Sequence, residues 1–428
     1  MRKPYAEMSA AELTAELSAQ ESLYGASLEK HYQLDMSRGK PSADQLALTK
    51  GLNEVLCGTD NFMSSSGIDC RNYGLLDGIP EIKQIFSDIL EIPMDNIIVC
   101  GNSSLNIMYD TVARCMLYGV PGGEPWCRQG EVRFLCPSPG YDRHFSICQS
   151  LGIKMVPIPM TPTGPDMDQV EKYVNNDPRV KGIWCVPKYS NPDGITYSDE
   201  TVRRFAALKP ASQDFRIFWD NAYVIHDLAE EKDTLLNLFQ LLRGTENEDI
   251  LYEFTSTSKI TFPGSGVAAI ASSDRNIAQI KSIMSVQTIG HDKMNMLRHV
   301  RFFSDADGIR THMEKHADIL RPRFNIVLDA FEKELAPTGT CRWHRPRGGY
   351  FISLFVPDGC AKEVYRLASE CGIRLTPAGA TFPYGKDPHD SNLRIAPSYP
   401  TVKELQLAVG VLCNCVKIAA LQKLLSEK

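Results

Sequence analysis

The chain has 428 residues, of which 43% are hydrophobic and 23% are charged, and its formal net charge at pH 7 is −6. These values are ordinary for a soluble globular protein of roughly two or three domains. Because binding to nucleic acid needs clustered lysine and arginine, the acidic balance and the lack of a basic block argue against nucleic acid as the main partner.

Membrane insertion and secretion are not expected either. The sequence has no run of about 18 apolar residues, and residues 1–29 lack the apolar core of a signal peptide. Its 13 cysteines include no Cys-x-x-Cys pair, and most lie inside apolar runs. This pattern predicts small buried side chains rather than a metal site or disulfides. An odd number of cysteines without a disulfide framework fits a reducing cytoplasm, so we expect a cytoplasmic protein without a metal.

Three segments come before the main alternating region. Helices are predicted over residues 10–30 and 43–56, and between them runs an extended arm that ends in Arg38-Gly39-Lys40-Pro41. A glycine-interrupted loop, Tyr73-Gly74-Leu75-Leu76-Asp77-Gly78, then leads into another helix.

Strands and helices alternate through the middle of the chain. Short apolar runs predict strands over 96–100, 132–136, 154–158, 183–186, 216–219 and 250–254. Helical spacing of apolar residues lies between them, as over 105–117 and 141–150. The alternation predicts an α/β fold in which helices cover both faces of a mostly parallel sheet, in three layers. Ligands of such sheets bind beyond the carboxyl ends of the strands.

The pattern changes in the last third. A long helix is predicted over 295–335, broken near Pro322, and short strands and helices follow it. We therefore expect a smaller α+β domain. The predicted division is an N-terminal arm with part of the small domain in residues 1–50, a large ligand-binding domain in 51–301 and the C-terminal small domain in 302–428.

A carboxylate, a phenol and a lysine follow two of the apolar runs. Asp220-Asn221-Ala222-Tyr223 comes after the run that ends at Trp219, and Lys259 comes after the run over 250–254. Pyridoxal phosphate (PLP) enzymes use these groups: the lysine forms an imine, the carboxylate keeps the pyridine nitrogen protonated, and the phenol binds the ring oxygen. Taken singly, Asp220 could be a salt bridge or helix cap, and Lys259 a surface residue.

Five further residues each have a functional and a plain interpretation. Ser103 and Ser104, at a predicted helix start, suit an anion or simple capping. Tyr141 suits stacking on a flat cofactor or ordinary packing. Asn191, in an Asn-Pro turn, gains interest from sharing a sheet edge with Asp220. Arg394, among apolar residues, suits a carboxylate clamp or an internal ion pair.

These residues together resemble the fold-type I PLP enzymes of the class I/II aminotransferase family. The resemblance extends from Arg38-Gly39-Lys40-Pro41 to Arg394 and is closest to the aspartate-aminotransferase-like subgroup Ic. It implies a catalytic set of Lys259, which is the Schiff-base lysine and proton shuttle, with Asp220 and Tyr223. It implies a cofactor-binding set of Ser103, Ser104, Tyr141, Asn191, Asp220, Tyr223, Ser256, Lys259 and Tyr73, and a substrate-binding set of Gly39, Asn191 and Arg394.

The resemblance also implies an activity and an assembly. An amino group would pass from an L-amino acid, aspartate or another dicarboxylic one, to 2-oxoglutarate. Tyr73 would reach the phosphate of a neighbouring subunit, so a homodimer with shared active sites is expected. A PLP-dependent lyase or a non-catalytic PLP-binding regulator are the alternatives, although too few residues precede Arg38 for the DNA-binding module of such regulators.

The chain departs from the family pattern after Lys259. Many relatives carry an arginine there that pairs with the phosphate, but Phe262-Pro263-Gly264-Ser265-Gly266 contains none. Lys293 and Arg298 are the candidates to replace it. A distal substrate carboxylate would need another cation, for which the candidates are Arg38, Lys188 and Lys293.

Overall fold

The computed structural model describes residues 3–428, and within that range it contains thirteen strands and thirteen α-helices. The strands are β1 (Leu34–Asp35), β2 (Ile97–Val99), β3 (Arg133–Ser138), β4 (Lys154–Thr161), β5 (Gly164–Pro165), β6 (Val180–Cys185), β7 (Arg216–Asp220), β8 (Leu251–Ser256), β9 (Ala268–Ser272), β10 (Arg342–Trp343), β11 (Ile352–Phe355), β12 (Ile373–Arg374) and β13 (Asn392–Ile395). The helices are α1 (Ala10–Leu28), α2 (Ala43–Leu48), α3 (Pro80–Leu90), α4 (Ser104–Tyr118), α5 (Asp142–Ser150), α6 (Met167–Val174), α7 (Asp199–Ala206), α8 (Leu238–Leu242), α9 (Asp274–Gln287), α10 (Lys293–Phe303), α11 (Ala306–Glu334), α12 (Ala361–Glu370) and α13 (Val402–Ser426).

The centre of the fold is an eight-stranded sheet in the order β2-β9-β8-β7-β6-β3-β4-β5. Its middle strands, from β8 through β7, β6 and β3 to β4, run parallel to their neighbours. The pairs at the two sides, β2–β9, β9–β8 and β4–β5, are antiparallel. The predicted α/β fold with a mostly parallel sheet is confirmed.

Both faces of this sheet are buried, which explains the continuous apolar character of its strands. Along β7, Ile217 and Trp219 belong to the core on one face, whereas Phe218 belongs to the core on the other. All three side chains are at most 1% exposed. The first polar residue that β7 presents after them is therefore the one at its carboxyl end.

A second body of structure packs beside the sheet. It contains the three-stranded antiparallel sheet β10-β11-β13 and the parallel pair of β1 with β12. Its core joins residues of the N-terminal arm, such as Met36, to residues of α11, α12 and α13. The α+β character expected for this part is thus present, and the boundaries at 50 and 301 stay a prediction.

Helix α13 is apolar for most of its length. By length and mean hydropathy (1.5) it is the one helix of residues 3–428 that could cross a membrane, but 78% of its apolar window is buried inside the protein. The apolar character is therefore explained by its position in the core, packed on α1, α11 and α12.

The predicted break near Pro322 is wrong. Pro322 lies inside α11, and the long helical region is divided earlier, between α10 and α11. There Ser304 has a φ of 68° and ends α10, and the Asp305 carboxylate accepts a hydrogen bond of 2.8 Å from the Gly308 N–H. The left-handed Ser304 and the capping carboxylate of Asp305 end one helix and begin the next, whereas α11 continues through Pro322 despite the backbone hydrogen bond that proline removes. Strand β9, which the apolar pattern did not indicate, is a second difference.

Candidate active site

The parallel pairing of β7 with β8 brings the carboxylate and the lysine to one edge of the sheet. Asp220 is the last residue of β7 and lies opposite Phe254 of β8, while Lys259 follows the end of β8. Both side chains line a cavity of about 340 Å³. The other predicted site residues that line the same cavity are Gly39, Ser103, Ser104, Tyr141, Asn191, Tyr223, Ser256 and Arg394.

The Asp220 carboxylate is buried, with only one of its oxygens hydrogen-bonded. Its side chain lies 3.0 Å through Oδ2 from Nε2 of His144, whereas Oδ1 has no partner within residues 3–428. The ring of His144 stacks on Trp184, with centroids 4.3 Å apart, and meets the edge of Tyr141. A buried oxygen without a hydrogen bond is costly. Its presence in this cavity fits a bound group that carries an N–H donor, as a protonated pyridine does.

Burial lowers the pKa of the Lys259 amine. The nearby Asp220 carboxylate opposes this shift, and the Arg394 guanidinium adds to it. The amine lies 5.2 Å from the centre of the Tyr223 ring. A lysine whose pKa is lowered has a larger fraction of the neutral, nucleophilic form at neutral pH, which is what attachment of an aldehyde requires.

The two tyrosines of the cavity stay protonated. Burial raises the pKa of Tyr141 to about 12, with the Asp220 charge adding to the effect. Burial likewise raises the pKa of Tyr223 well above its usual value. Each phenol is therefore an O–H donor at neutral pH.

The Arg394 guanidinium is held on three sides. Nη1 donates to Oδ1 of Asp142 at 2.9 Å and to Oδ1 of Asn191 at 3.3 Å, and Nε and Nη2 donate to the Thr376 hydroxyl. The internal ion pair that was the plain interpretation is therefore present, with Asp142. The guanidinium also lies 4.9 Å from the centre of the Phe351 ring, so it is fixed in place at the cavity wall.

Gly39 belongs to the wall because the arm passes very close to Phe351. A Cβ on Gly39 would lie 2.7 Å from Cζ of that ring. The glycine is thus required by the close approach of the arm rather than by a left-handed backbone.

Hydroxyl groups and free N–H groups gather at the start of α4. Ser103 precedes the helix, but its side chain forms no capping bond within the described chain, so plain capping by Ser103 is wrong. The Ser256 hydroxyl donates to Ser258, whose own hydroxyl donates to the carbonyl of Asn102 at 3.1 Å. The first turn of a helix leaves its N–H groups unsatisfied, which suits an anion such as phosphate. Ser258 was not among the predicted residues.

Tyr73 lies outside the cavity and its side chain is 81% exposed. The loop that carries Tyr73 is held by Lys293, whose amine donates to the carbonyls of Asn72 and Gly74 at 2.7 and 2.8 Å. Lys293 does not line the cavity. Arg298 is not there either, and it bonds Asn295.

Of the candidates for a distal carboxylate, only Arg38 lines the cavity. The Lys188 amine instead binds the Asp227 carboxylate and the carbonyl of Val224, both at 2.9 Å. Arg143 and Lys40, which were not among the predicted carboxylate ligands, line the cavity as well. Both arginines are exposed, and neither forms an ion pair with a residue of the range 3–428.

The sequence matches a known protein family over almost its whole length. The family described as aspartate amino-transferase matches residues 7–428. A protein of Corynebacterium glutamicum named aspartate aminotransferase is 44% identical over 392 residues, covering 91% of this chain and 90% of its own. A Mycolicibacterium smegmatis protein is 43% identical over 419 residues, covering 97% and 98%.

Solved structures agree. The crystal structure of an aspartate transaminase from Corynebacterium glutamicum superposes with a TM-score of 0.96 at 40% identity, covering 99% of this chain and 100% of its own. An α-aminoadipate aminotransferase of Thermus thermophilus, complexed with N-(5′-phosphopyridoxyl)-L-leucine, shares the fold with a TM-score of 0.73 at 18% identity, covering 94% and 95%.

A buried carboxyl behind the site gives a prediction on pH. Glu253 of β8 is 4% exposed and accepts a hydrogen bond of 2.8 Å from Asn221, and burial raises its pKa from 4.5 to about 7. The folded state therefore holds this proton more tightly, so stability is lost as pH rises from 4.5 through about 7. Relative to Glu253→Gln, the wild type should lose on the order of 3 kcal/mol across this window, measured by chemical denaturation. Parallel pH profiles for the two proteins would contradict the prediction.

Proposed function

The chain belongs to the aspartate amino-transferase family and is an aminotransferase, and we propose that it uses pyridoxal 5′-phosphate held at Lys259 to move an amino group from aspartate to 2-oxoglutarate. The observation that carries this proposal is the cavity in which the lysine with a lowered pKa lies near the unpartnered Oδ1 of Asp220. A lysine and a carboxylate so placed match the two ends of the cofactor ring system.

The residues of the cavity suggest how the cofactor is held. Asp220 would accept the pyridine N–H through its free oxygen, while His144 keeps the other oxygen bound. Tyr141 would stack on the ring, and the ring oxygen would lie between Asn191 and Tyr223. The hydroxyls of Ser103, Ser104, Ser256 and Ser258 and the first turn of α4 would bind the phosphate, without an arginine after Lys259.

The chemistry is divided between the cofactor and the chain. When bound, pyridoxal phosphate supplies a conjugated ring that takes up the electron pair released at the substrate α-carbon. Lys259 would anchor the cofactor, and its neutral Nζ would take the proton from the α-carbon of the substrate. Arg394, already oriented by Thr376 and Asn191, would bind the α-carboxylate in place of its bond to Asp142.

Aspartate is proposed as the amino donor for two reasons. A relative at 44% identity carries the name aspartate aminotransferase. The cavity lining also has three exposed cationic side chains beyond Arg394, those of Arg38, Lys40 and Arg143. The Lys40 amine lies over the Tyr399 ring, which leaves the two arginines as the candidates to bind a second carboxylate. A PLP-dependent lyase on the same fold is the alternative. The family match favours the transaminase, and a lyase would turn over without any oxo acid.

The role of Lys259 is tested by Lys259→Ala. The wild type should show a visible absorbance band that borohydride fixes to the peptide carrying Lys259, and transamination with 2-oxoglutarate. The variant should lose both, because the other lysine that lines the cavity, Lys40, has its amine over the Tyr399 ring. Lys172→Ala, at an exposed position on α6, is the matched control and should keep both. Transamination by Lys259→Ala at the wild-type rate would disprove the assignment.

Substrate choice is tested with Arg38→Leu and Arg143→Leu. Loss of a charged hydrogen bond to the distal carboxylate should raise the KM for aspartate and 2-oxoglutarate about tenfold or more in at least one variant. The KM for alanine, which lacks that carboxylate, should not change. Wild-type turnover limited to aromatic or small neutral amino acids would rule out the dicarboxylate assignment.

A homodimer with shared sites is proposed from Tyr73, which is exposed on a loop held by Lys293. In the dimer its hydroxyl would reach the phosphate held by the partner. Tyr73→Phe should therefore weaken cofactor binding about tenfold, measured by dialysis. Co-expression with Lys259→Ala chains should restore wild-type affinity in the mixed dimers, because Lys259 and Tyr73 would then meet from different chains. If Tyr73 acts within its own chain, mixing restores nothing.

A further inference from the structure

The backbone of Lys259 is held by a directed chain of hydrogen bonds that begins in the N-terminal arm. We propose that Gln45 of α2 is a positioning residue for Lys259, acting through Tyr350 and the pair His316 and His312. We refer to these four side chains as the arm network. The inference rests on the proposed role of Lys259 and adds the residues that orient it.

Gln45 can adopt only one amide orientation. Its Oε1 accepts the backbone N–H of Ser42 at 3.1 Å, in the capping box of α2. Since that N–H can only donate, the Gln45 Nε2 must point the other way, where it lies 2.8 Å from the Tyr350 hydroxyl and 3.0 Å from Nδ1 of His316. The Gln45 side chain is fully buried, so no water competes for these bonds. Gln45 thus donates to both partners.

The first branch of the arm network reaches Lys259 itself. Because the Tyr350 oxygen accepts from Gln45, its own hydrogen is free to donate, and it lies 3.3 Å from the Lys259 carbonyl oxygen. Tyr350 is fully buried, and burial raises the pKa of its phenol, which keeps the hydroxyl protonated. The orientation of the Gln45 amide therefore determines that the Tyr350 hydroxyl donates its hydrogen to the Lys259 carbonyl.

The second branch reaches the next residue, Ile260. Since Nδ1 of His316 accepts from Gln45, the neutral ring carries its proton on Nε2. Burial lowers the pKa of His316 to about 4, so the neutral form is the one present near neutral pH. That Nε2 lies 3.1 Å from Nε2 of His312, so the His316 N–H donates to the His312 ring. The same His312 nitrogen lies 3.0 Å from the Ile260 carbonyl oxygen and 3.4 Å from the Thr49 hydroxyl. The second branch therefore fixes the His312 ring against the carbonyl of Ile260.

The two carbonyls concerned are those on which the position of the lysine depends. The N–H groups of Ile260 and Thr261 bind the Thr257 carbonyl within the same turn, both at 2.9 Å. These bonds satisfy the N–H groups of the turn, but no group within the turn donates a hydrogen bond to the carbonyls of residues 259 and 260. The arm network holds the Lys259 carbonyl through Tyr350, two residues before β11, and places the His312 ring of α11 against the Ile260 carbonyl. An error of about 1 Å in a reacting group is costly in rate, so the hold has a catalytic consequence.

Gln45→Glu is the sharpest test because it keeps the shape and reverses the direction of the bonds. The new carboxylate oxygen accepts, so the Tyr350 hydroxyl turns toward it and leaves Lys259, and the His316 proton moves to Nδ1. In the loaded enzyme, amide hydrogen exchange over residues 257–262 should accelerate about tenfold, as expected for one lost hydrogen bond. The pH midpoint of the visible band should shift, and kcat should fall with KM unchanged.

Tyr350→Phe removes only the hydroxyl and should change all three measurements in the same direction. Adding Gln45→Glu to Tyr350→Phe should then change the exchange less than Gln45→Glu does alone, because only the second branch can still respond. Gln33→Glu, which makes the same charge change at an exposed position of the arm, is the matched control and should leave all three measurements at wild-type values.

The outcomes separate this inference from the proposed function. If Lys259 did not anchor the cofactor, Lys259→Ala would keep the visible band, whereas the exchange over 257–262 would still respond to Gln45→Glu. If the arm network is merely structural, Gln45→Glu and Tyr350→Phe would lower the denaturation midpoint without moving the exchange, the pH midpoint of the band or kcat. That result would overturn the inference.

Discussion

The register between β7 and β8 is the constraint on which the rest of the site depends. Asp220 lies opposite Phe254, so the carboxylate is the last residue of one strand where its neighbour still has two residues to run. A slip by one residue would turn Phe218 and Asp220 to the other face of the sheet. On the present face, Asp220 meets His144, whose ring rests on Trp184, which in turn packs against Phe218. The position of the Asp220 carboxylate therefore depends on the packing of these aromatic rings.

Burial strengthens the interactions between the charged side chains at the carboxyl edge of the central sheet. Arg394 and Lys259 share a cavity of about 340 Å³ with Asp220, and the lysine responds with a lowered pKa. In such surroundings charges act on one another more strongly than in water. The start of α4 adds positive potential from its dipole. The cavity therefore favours ligands with negative charge at two separate points, which matches a phosphate at one end and a carboxylate at the other.

Sequence reasoning found the residues that follow apolar strands, and missed those that reach the site from elsewhere. Asp220, Asn191 and Lys259 could be placed because parallel strands end at a common edge. His144 lies within α5 and Thr376 follows β12, and only tertiary packing brings them to Asp220 and Arg394. No period in the sequence encodes such contacts.

The same distinction applies to the fold. The alternation of strands and helices could be predicted because continuous apolar runs mark the buried strands. Strand β9, with the sequence Ala-Ala-Ile-Ala-Ser, has little strand preference of its own and is defined by pairing with β2 and β8. The helix boundary at Ser304 was not predicted, and a break at Pro322 was predicted instead. The capping carboxylate of Asp305 is the stronger signal for a helix boundary.

Both ends of the described chain meet in the smaller body of structure, and this has a consequence for how the protein folds during synthesis. Leu13 of α1 shares a core cluster with Leu421 of α13, and Asn414 donates a hydrogen bond to the carbonyl of Gln20. Such contacts close only after nearly the whole chain has left the ribosome, whereas the central sheet is built from nearer neighbours. We expect the arm to dock last, after the central sheet and the part of the cavity at its edge have formed.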